Sequence, residues 1–339
     1  MDYKDAGVDI TAADAAKTRI KNLARGTFNS SVLSEIGTFG GMFRPDLRGY
    51  QEPVLVSSVD GVGTKIRVAL AAGRHDTVGY DLVAHCVNDI LVQGAVPLFF
   101  LDYVALGRMD AALVEAIVSG VARACAEFGC PLVGGETAEM PGTYAPDDYD
   151  LAGFIVGVVD RSKAITGRDI RTGDLLLGLP SLGLHTNGYS LARKVLFDAM
   201  GYQVDSRPPE LGTTVGDALL APHRCYLSAL EPLVERGLVR GLVHITGGGF
   251  PGNIPRVLPA GLGVRIRRSA WEVPAVFRLI QHGGRVDDAE MFRTFNMGIG
   301  MVLIVSPDDH HAVEHSLERR GETCFLIGSV VESAGVVLE

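Results

Sequence analysis

The chain has 339 residues, of which 47% are apolar and 21% charged, and it carries a formal charge of −9. That length predicts two domains with proper cores, and the acidic balance excludes the basic surface that a nucleic-acid partner needs. The five cysteines are odd in number, scattered and never spaced C-x-x-C, which indicates neither a disulfide framework nor a zinc site. No apolar run approaches membrane-spanning length and the first residues lack an apolar leader, so a cytoplasmic enzyme with no membrane partner is expected.

In chain order, a helix is predicted to run to about Arg25, and Gly37 to Gly41 form a loop. Val54 to Val59 is a β-branched strand that stops at Asp60-Gly61-Val62-Gly63-Thr64-Lys65. A helix follows over Asp76 to Gln93, then a buried strand from Pro97 to Leu106. Leu113, Ile117, Val121 and Cys125 give Ala111 to Phe128 one apolar helical face. A short strand leads into Gly134-Gly135-Glu136-Thr137, and another runs from Leu151 to Val159. The pattern breaks near Arg161 to Gly173, which divides the chain into residues 1–165 and 166–339. The second half restarts at Leu175 to Leu179. It has one glycine-containing turn into a helix at Ser190 and a second at Thr246-Gly247-Gly248-Gly249. The predicted fold is α/β (mixed α+β) in two lobes.

Three places carry chemistry. After the first strand, Gly61 and Gly63 let backbone N–H groups approach a phosphate, while Thr64 offers a hydroxyl and Lys65 a charge. A tight turn with solvated Asp60 and Lys65 fits the same spacing, and no P-loop or G-x-G-x-x-G pattern decides between the two. On the next helix Asp81, His85 and Asp89 recur at i, i+4, i+8. Asp81 and His85 read as a solvated face, whereas Asn88-Asp89 sits among apolar residues. Together Asp60, Asp89 and Glu136 would make an oxygen-only site suited to Mg²⁺.

In the second half, His185, Thr186 and Asn187 precede a helix start, and Thr246 to Gly249 precede another. Either loop could hold an anion or simply cap its helix, although three consecutive glycines are costly as punctuation. His310, His311 and His315 on a late helix lack a third-ligand pattern and read as a solvated face.

Taken together, Asp60 to Lys65, Val87 to Ile90, Pro97 to Tyr103, Gly134 to Gly142, His185 to Ser190, His244 to Gly249, Asn253 to Arg256 and Phe295 to Gly298 resemble the phosphoribosylformylglycinamidine cyclo-ligase family over nearly the whole chain, as does Tyr3 to Ile10. Leu182 stands where that family usually has serine, and Thr186 replaces another serine but keeps the hydroxyl. The resemblance implies a homodimer paired through its N-terminal sheets. It also implies closure of formylglycinamidine ribonucleotide to aminoimidazole ribonucleotide with ATP and Mg²⁺. On it rest the expected roles. Asp60, Asp89 and Glu136 hold the metal, and Gly40, Gly41, Gly61, Gly63, Thr64, Lys65 and Asn88 line the ATP site. Lys4 and Asp5 lie on an arm that closes over the nucleotide. His185, Thr186, Asn187, Thr246, Gly247, Gly248 and Gly249 bind the ribonucleotide, with Lys65, His185 and Asn187 catalytic. A thiamine-phosphate kinase or selenophosphate synthetase shares the expected fold. A non-catalytic nucleotide-binding regulator would be expected to have lost its carboxylates.

Overall fold

The computed structural model describes the backbone of residues 10–339 and the side chains from Lys17 onward; Lys4 and Asp5 lie outside the described residues. The N-terminal lobe runs α1 (Ile10–Arg25), β1 (Pro53–Gly61), α2 (Lys65–Ala72), α3 (Asp76–Leu91), β2 (Val96–Leu106), α4 (Ala111–Glu127), β3 (Leu132–Glu139) and β4 (Tyr149–Asp160). Its four strands lie in the order β1-β4-β2-β3, antiparallel except for the parallel β2–β3 pair. Val56 and Phe100 on one face pack beneath α3 and α4. Leu55, Val59 and Phe154 on the other face are exposed. The two helices cross where neither has a side chain. A Cβ on Gly79 would stand 2.1 Å from the Ile117 carbonyl oxygen, and one on Gly120 would stand 1.9 Å from that of Asp76. Such contact holds α3 tight against α4, and a glycine in β4, Gly153, lets Leu82 of α3 close on the sheet.

The C-terminal lobe continues with β5 (Leu175–Pro180), α5 (Tyr189–Arg193), α6 (Val215–Leu219), α7 (Leu227–Glu235), β6 (Gly241–His244), α8 (Gly249–Asn253), β7 (Gly263–Ile266), α9 (Ala275–Gly284), α10 (Asp288–Thr294), β8 (Ile299–Val305), α11 (His310–Glu318), β9 (Phe325–Val331) and β10 (Gly335–Leu338). Its six strands are ordered β10-β7-β9-β5-β8-β6. Every residue of β8 is buried, which is why it reads as an unbroken apolar run. Its side chains alternate between two cores, Val302 and Ile304 entering one and Met301, Leu303 and Val305 the other.

Lobe meets lobe along α3. Asn88 donates through Nδ2 to the Arg224 carbonyl (2.8 Å) and accepts from the Tyr226 amide (2.9 Å). Asp81 accepts from the His223 amide (2.6 Å), and Lys65 donates to the Ala221 carbonyl (2.8 Å). The segment 221–226 thus hangs from side chains of the other lobe.

Candidate functional site

The site lies where β1 ends beside α3 and the second lobe's loops begin. At the turn, a Cβ on Gly61 would meet the Leu151 carbonyl oxygen at 2.9 Å, and Gly63 takes φ +56°. These two glycines let the chain bend sharply, so that the Thr64 hydroxyl comes within 3.0 Å of the Ser190 hydroxyl at the start of α5. Asp60 Oδ2 and Asp89 Oδ2 both face His85 Nε2, at 2.9 and 3.5 Å. Asp89 also accepts from Ser58 Oγ (3.1 Å) and pairs through Oδ1 with His244 Nδ1 (2.9 Å). Burial works to raise both carboxyls, but the hydrogen bond and charge of His85 on Asp60, and of His244 on Asp89, carry each below its ordinary value. His85 answers in kind: burial works against its charged form, yet Asp60 and Asp89 raise its pKa. Two carboxylates therefore stand together at the cleft, with imidazoles rather than a lysine or arginine as their ion-pair partners.

Several expectations need correction. Asp81 and His85 are not a solvated face; both are buried, because the second lobe covers that side of α3. Lys65 does not point at a phosphate position. It is fully buried, 2.7 Å from Asp81, with its ammonium also over the Tyr189 ring. The stem of α2 carries it inward from the turn, where its charge ties the lobes together. Asn88 is likewise committed to backbone groups of Arg224 and Tyr226 rather than to an open nucleotide site.

Glu136 does not join Asp60 and Asp89 within one chain. In the sheet register Asp60 aligns with Gly153, Asp102 and Gly135, so Glu136 follows Tyr103 onto the opposite face. It is also three strands away, about 14 Å. Gly40 and Gly41 belong to that far edge as well, since a Cβ on Gly41 would stand 2.7 Å from the Val133 carbonyl oxygen.

The second lobe supplies two touching loops. His185 is buried with φ +60°, and the Tyr189 hydroxyl donates to its carbonyl oxygen (3.1 Å). Burial, reinforced by neighbouring cationic groups, pushes its imidazole well below the usual range, so it is neutral. Thr186 Oγ lies 2.7 Å from His85 Nδ1. A Cβ on Gly247 would come within 3.0 Å of Asn187 Oδ1, which sets the two loops side by side. Asn253 Nδ2 donates to the carbonyls of Thr246, Gly247 and Gly249, at 3.2, 3.3 and 2.8 Å. With those carbonyls turned towards Asn253, no hydrogen bond among the described residues takes up the amides of Gly247 and Gly248. That is the arrangement an anion needs.

Two neighbours of the site were given no role by the sequence reading. His223 and His244 are buried beside His85 and His185. Their nearness to one another depends on a helix, a strand end and two loops converging in space. The available signal was weak: α3 carries apolar residues on most of its circumference, but its polar stripe of Asp81, His85, Asn88 and Asp89 reads as solvated at the first two until the second lobe is seen to bury it.

Residues 47–159 match the family described as AIR synthase related protein, N-terminal domain, and residues 171–339 match the corresponding C-terminal domain. The phosphoribosylformylglycinamidine cyclo-ligase of Desulfitobacterium hafniense (strain DSM 10664 / DCB-2) is 52% identical over 335 residues, 98% of each chain. That of Citrifermentans bemidjiense is 52% identical over 330 residues, 97% of this chain and 95% of its own. Among solved structures, thiamine-monophosphate kinase from Stenotrophomonas maltophilia K279a shares the fold, with a TM-score of 0.73 at 16% identity over 96% of both chains.

Proposed function

The chain belongs to the AIR synthase related family, and we propose that its two lobes close formylglycinamidine ribonucleotide to 5-aminoimidazole ribonucleotide, with conversion of ATP to ADP and phosphate. It is an ATP-dependent ligase of purine biosynthesis. The observation that carries this reading is identity of about half the residues with cyclo-ligases along almost the entire length of both chains. The site geometry supports it, because carboxylates from one lobe meet two anion-ready loops from the other.

The reaction needs ATP because an amide oxygen is a poor leaving group. Transfer of the γ-phosphoryl group to the formyl oxygen activates that carbon. The amidine nitrogen of the same molecule then attacks, and phosphate leaves. Attack within one molecule makes positioning the main demand on the protein. In our assignment Gly247 and Gly248 hold the ribose phosphate, while Asn187 and Thr186 orient the amidine arm. Neutral His185 is able to accept a proton from it. Thr64, Gly61 and Gly63 face the triphosphate.

Asp60 and Asp89 suit Mg²⁺, which usually takes one or two carboxylates together with phosphate oxygens and water. Mg²⁺ bound there would neutralise charge on the transferring phosphoryl group.

Lys4 and Asp5 closing over the nucleotide, a homodimer and a cytoplasmic location complete the reading. The exposed row Leu55, Val59 and Phe154 supports pairing through the sheet. Such pairing gives Glu136, Gly40 and Gly41 a way to reach a nucleotide held by a partner chain. No helix of the described residues is long and apolar enough to cross a membrane. Purified chain should release ADP only when formylglycinamidine ribonucleotide is supplied. ADP release with thiamine phosphate instead, or with no ribonucleotide at all, defeats the reading.

A further inference from the structure

His85 touches both halves of the site, and the reaction as assigned gives it no part. Its side chain is only 3% exposed. On one edge of the ring, Nε2 stands between two carboxylates, 2.9 Å from Asp60 Oδ2 and 3.5 Å from Asp89 Oδ2. It completes an aligned hydrogen bond with neither. On the other edge, Nδ1 lies 2.7 Å from Thr186 Oγ of the second lobe. Asn187 Nδ2 in turn donates to that hydroxyl (3.4 Å). The rings of His223 and His244 pack against the imidazole, with centroids 5.2 and 5.0 Å away, and confine its plane.

We infer that His85 is a positioning residue that couples nucleotide binding on the Asp60 and Asp89 side to ribonucleotide binding on the Thr186 and Asn187 side; the inference rests on the ligase reading above. The polarity of the link follows from its partners. Carboxylates only accept, so Nε2 carries a hydrogen. A hydroxyl both donates and accepts, so Thr186 meets Nδ1 whether that nitrogen holds a lone pair or a hydrogen. The link therefore persists in either charge state of the ring.

The uncommitted Nε2 hydrogen supplies the two arrangements that coupling requires. Asp60 or Asp89 turning towards a cation-bound triphosphate changes which oxygen Nε2 meets. The rigid ring carries that shift to Thr186, and so to the Asn187 amide that orients the amidine arm. Two other contacts cross the same gap without reaching that loop's polar groups from the carboxylates. The Thr64 and Ser190 hydroxyls meet at the start of α5. His244 pairs with Asp89 through Nδ1, but its Nε2 faces His223.

The test reads binding rather than turnover. Full-length protein is titrated by calorimetry with a non-hydrolysable ATP analogue and Mg²⁺, alone and with saturating formylglycinamidine ribonucleotide. In wild type the ribonucleotide should tighten the analogue at least about fivefold, and the analogue should tighten the ribonucleotide by the same factor. Gln puts its amide where Nε2 lies, and Asn puts its amide where Nδ1 lies. His85→Gln should therefore keep the affinity for the analogue alone, and His85→Asn that for the ribonucleotide alone, while the coupling factor falls to about one in both. A residue that merely filled the core would not divide the two affinities in this way. Thr186→Val cuts the link from the other lobe and should also abolish the coupling, whereas Ser190→Ala should leave it intact. No coupling in wild type, or undiminished coupling in folded His85→Gln and His85→Asn, overturns the inference. ADP release that still requires formylglycinamidine ribonucleotide leaves the ligase reading standing in either case. Wild type that fails to bind this ribonucleotide defeats that reading, and the inference with it.

Discussion

Asp81 and Asp89 are the same residue two turns apart on one stripe of α3, yet they belong to different regions with different physics. Asp81 lies in the seam between lobes, fully buried, with Lys65 at 2.7 Å and the His223 amide at 2.6 Å. Asp89 lies at the cleft with its side chain 23% exposed, and its ring partners are His244 and His85 rather than a fixed cation. Asp102, in the same sheet row as Asp60, provides a third case. It is buried, and burial pushes its carboxyl up to about 7 with only its own backbone N–H in opposition. A carboxylate's role here follows from who supplies the counter-charge: the chain itself, an arriving ligand, or a proton.

The largest effect should come from removing the built-in counter-charge. Lys65→Met leaves Asp81 unpaired in the interior and should cost about 3–5 kcal/mol in denaturant unfolding, much of it restored by adding Asp81→Leu. A Lys65→Met protein of normal stability that cannot turn over ATP would reverse the comparison and return Lys65 to the phosphates.

Asp102 sharpens it from the other side. Its folded pKa lies above the unfolded value of 3.8, so the folded state holds the proton more tightly. Stability is therefore lost as pH rises from about 4 through 7. Relative to wild type, Asp102→Asn should gain up to about 4 kcal/mol above pH 7 and nothing below pH 4, measured by melting across that range. Parallel melting curves would show that Asp102 has a partner after all.

At the cleft, Asp89→Asn should lower ADP release by a factor of about 100 to 1000 while the protein stays folded. Activity like that of wild type removes Asp89 from the chemistry. Smallest is Asn88→Ala, which leaves the Arg224 carbonyl and the Tyr226 amide without their partner. It should cost about 1–3 kcal/mol, with KM affected less than stability.

Much of this architecture is legible in the residues. The strand ending at Asp60-Gly61, the buried run of β2 and the amphipathic α4 follow from periodicity and glycine placement, because those signals are local. Asp89 could be picked out among its apolar neighbours. Asp81 and His85 could not, since the lobe that buries them lies more than a hundred residues further along the chain. Glu136 misled for a related reason. Spacing does not reveal that β3 occupies the sheet edge opposite β1, and a one-residue difference in parity sends a side chain to the other face. The roles of His223 and His244 were hidden because a cluster assembled from a helix, a strand end and two loops has no sequence spacing to recognise.

The suspension of residues 221–226 from Lys65, Asp81 and Asn88 bears on how the molecule can be divided. Each lobe has its own sheet, so a cut in the linker looks harmless on a topology diagram. Either fragment made alone would expose an ionic seam meant for the interior, and the N-terminal piece would keep Lys65 and Asp81 with the lid removed from both. Grafting one lobe onto a relative's other half is bound by the same rule: the transplanted unit must carry its hanging strap, or its hooks, along with it.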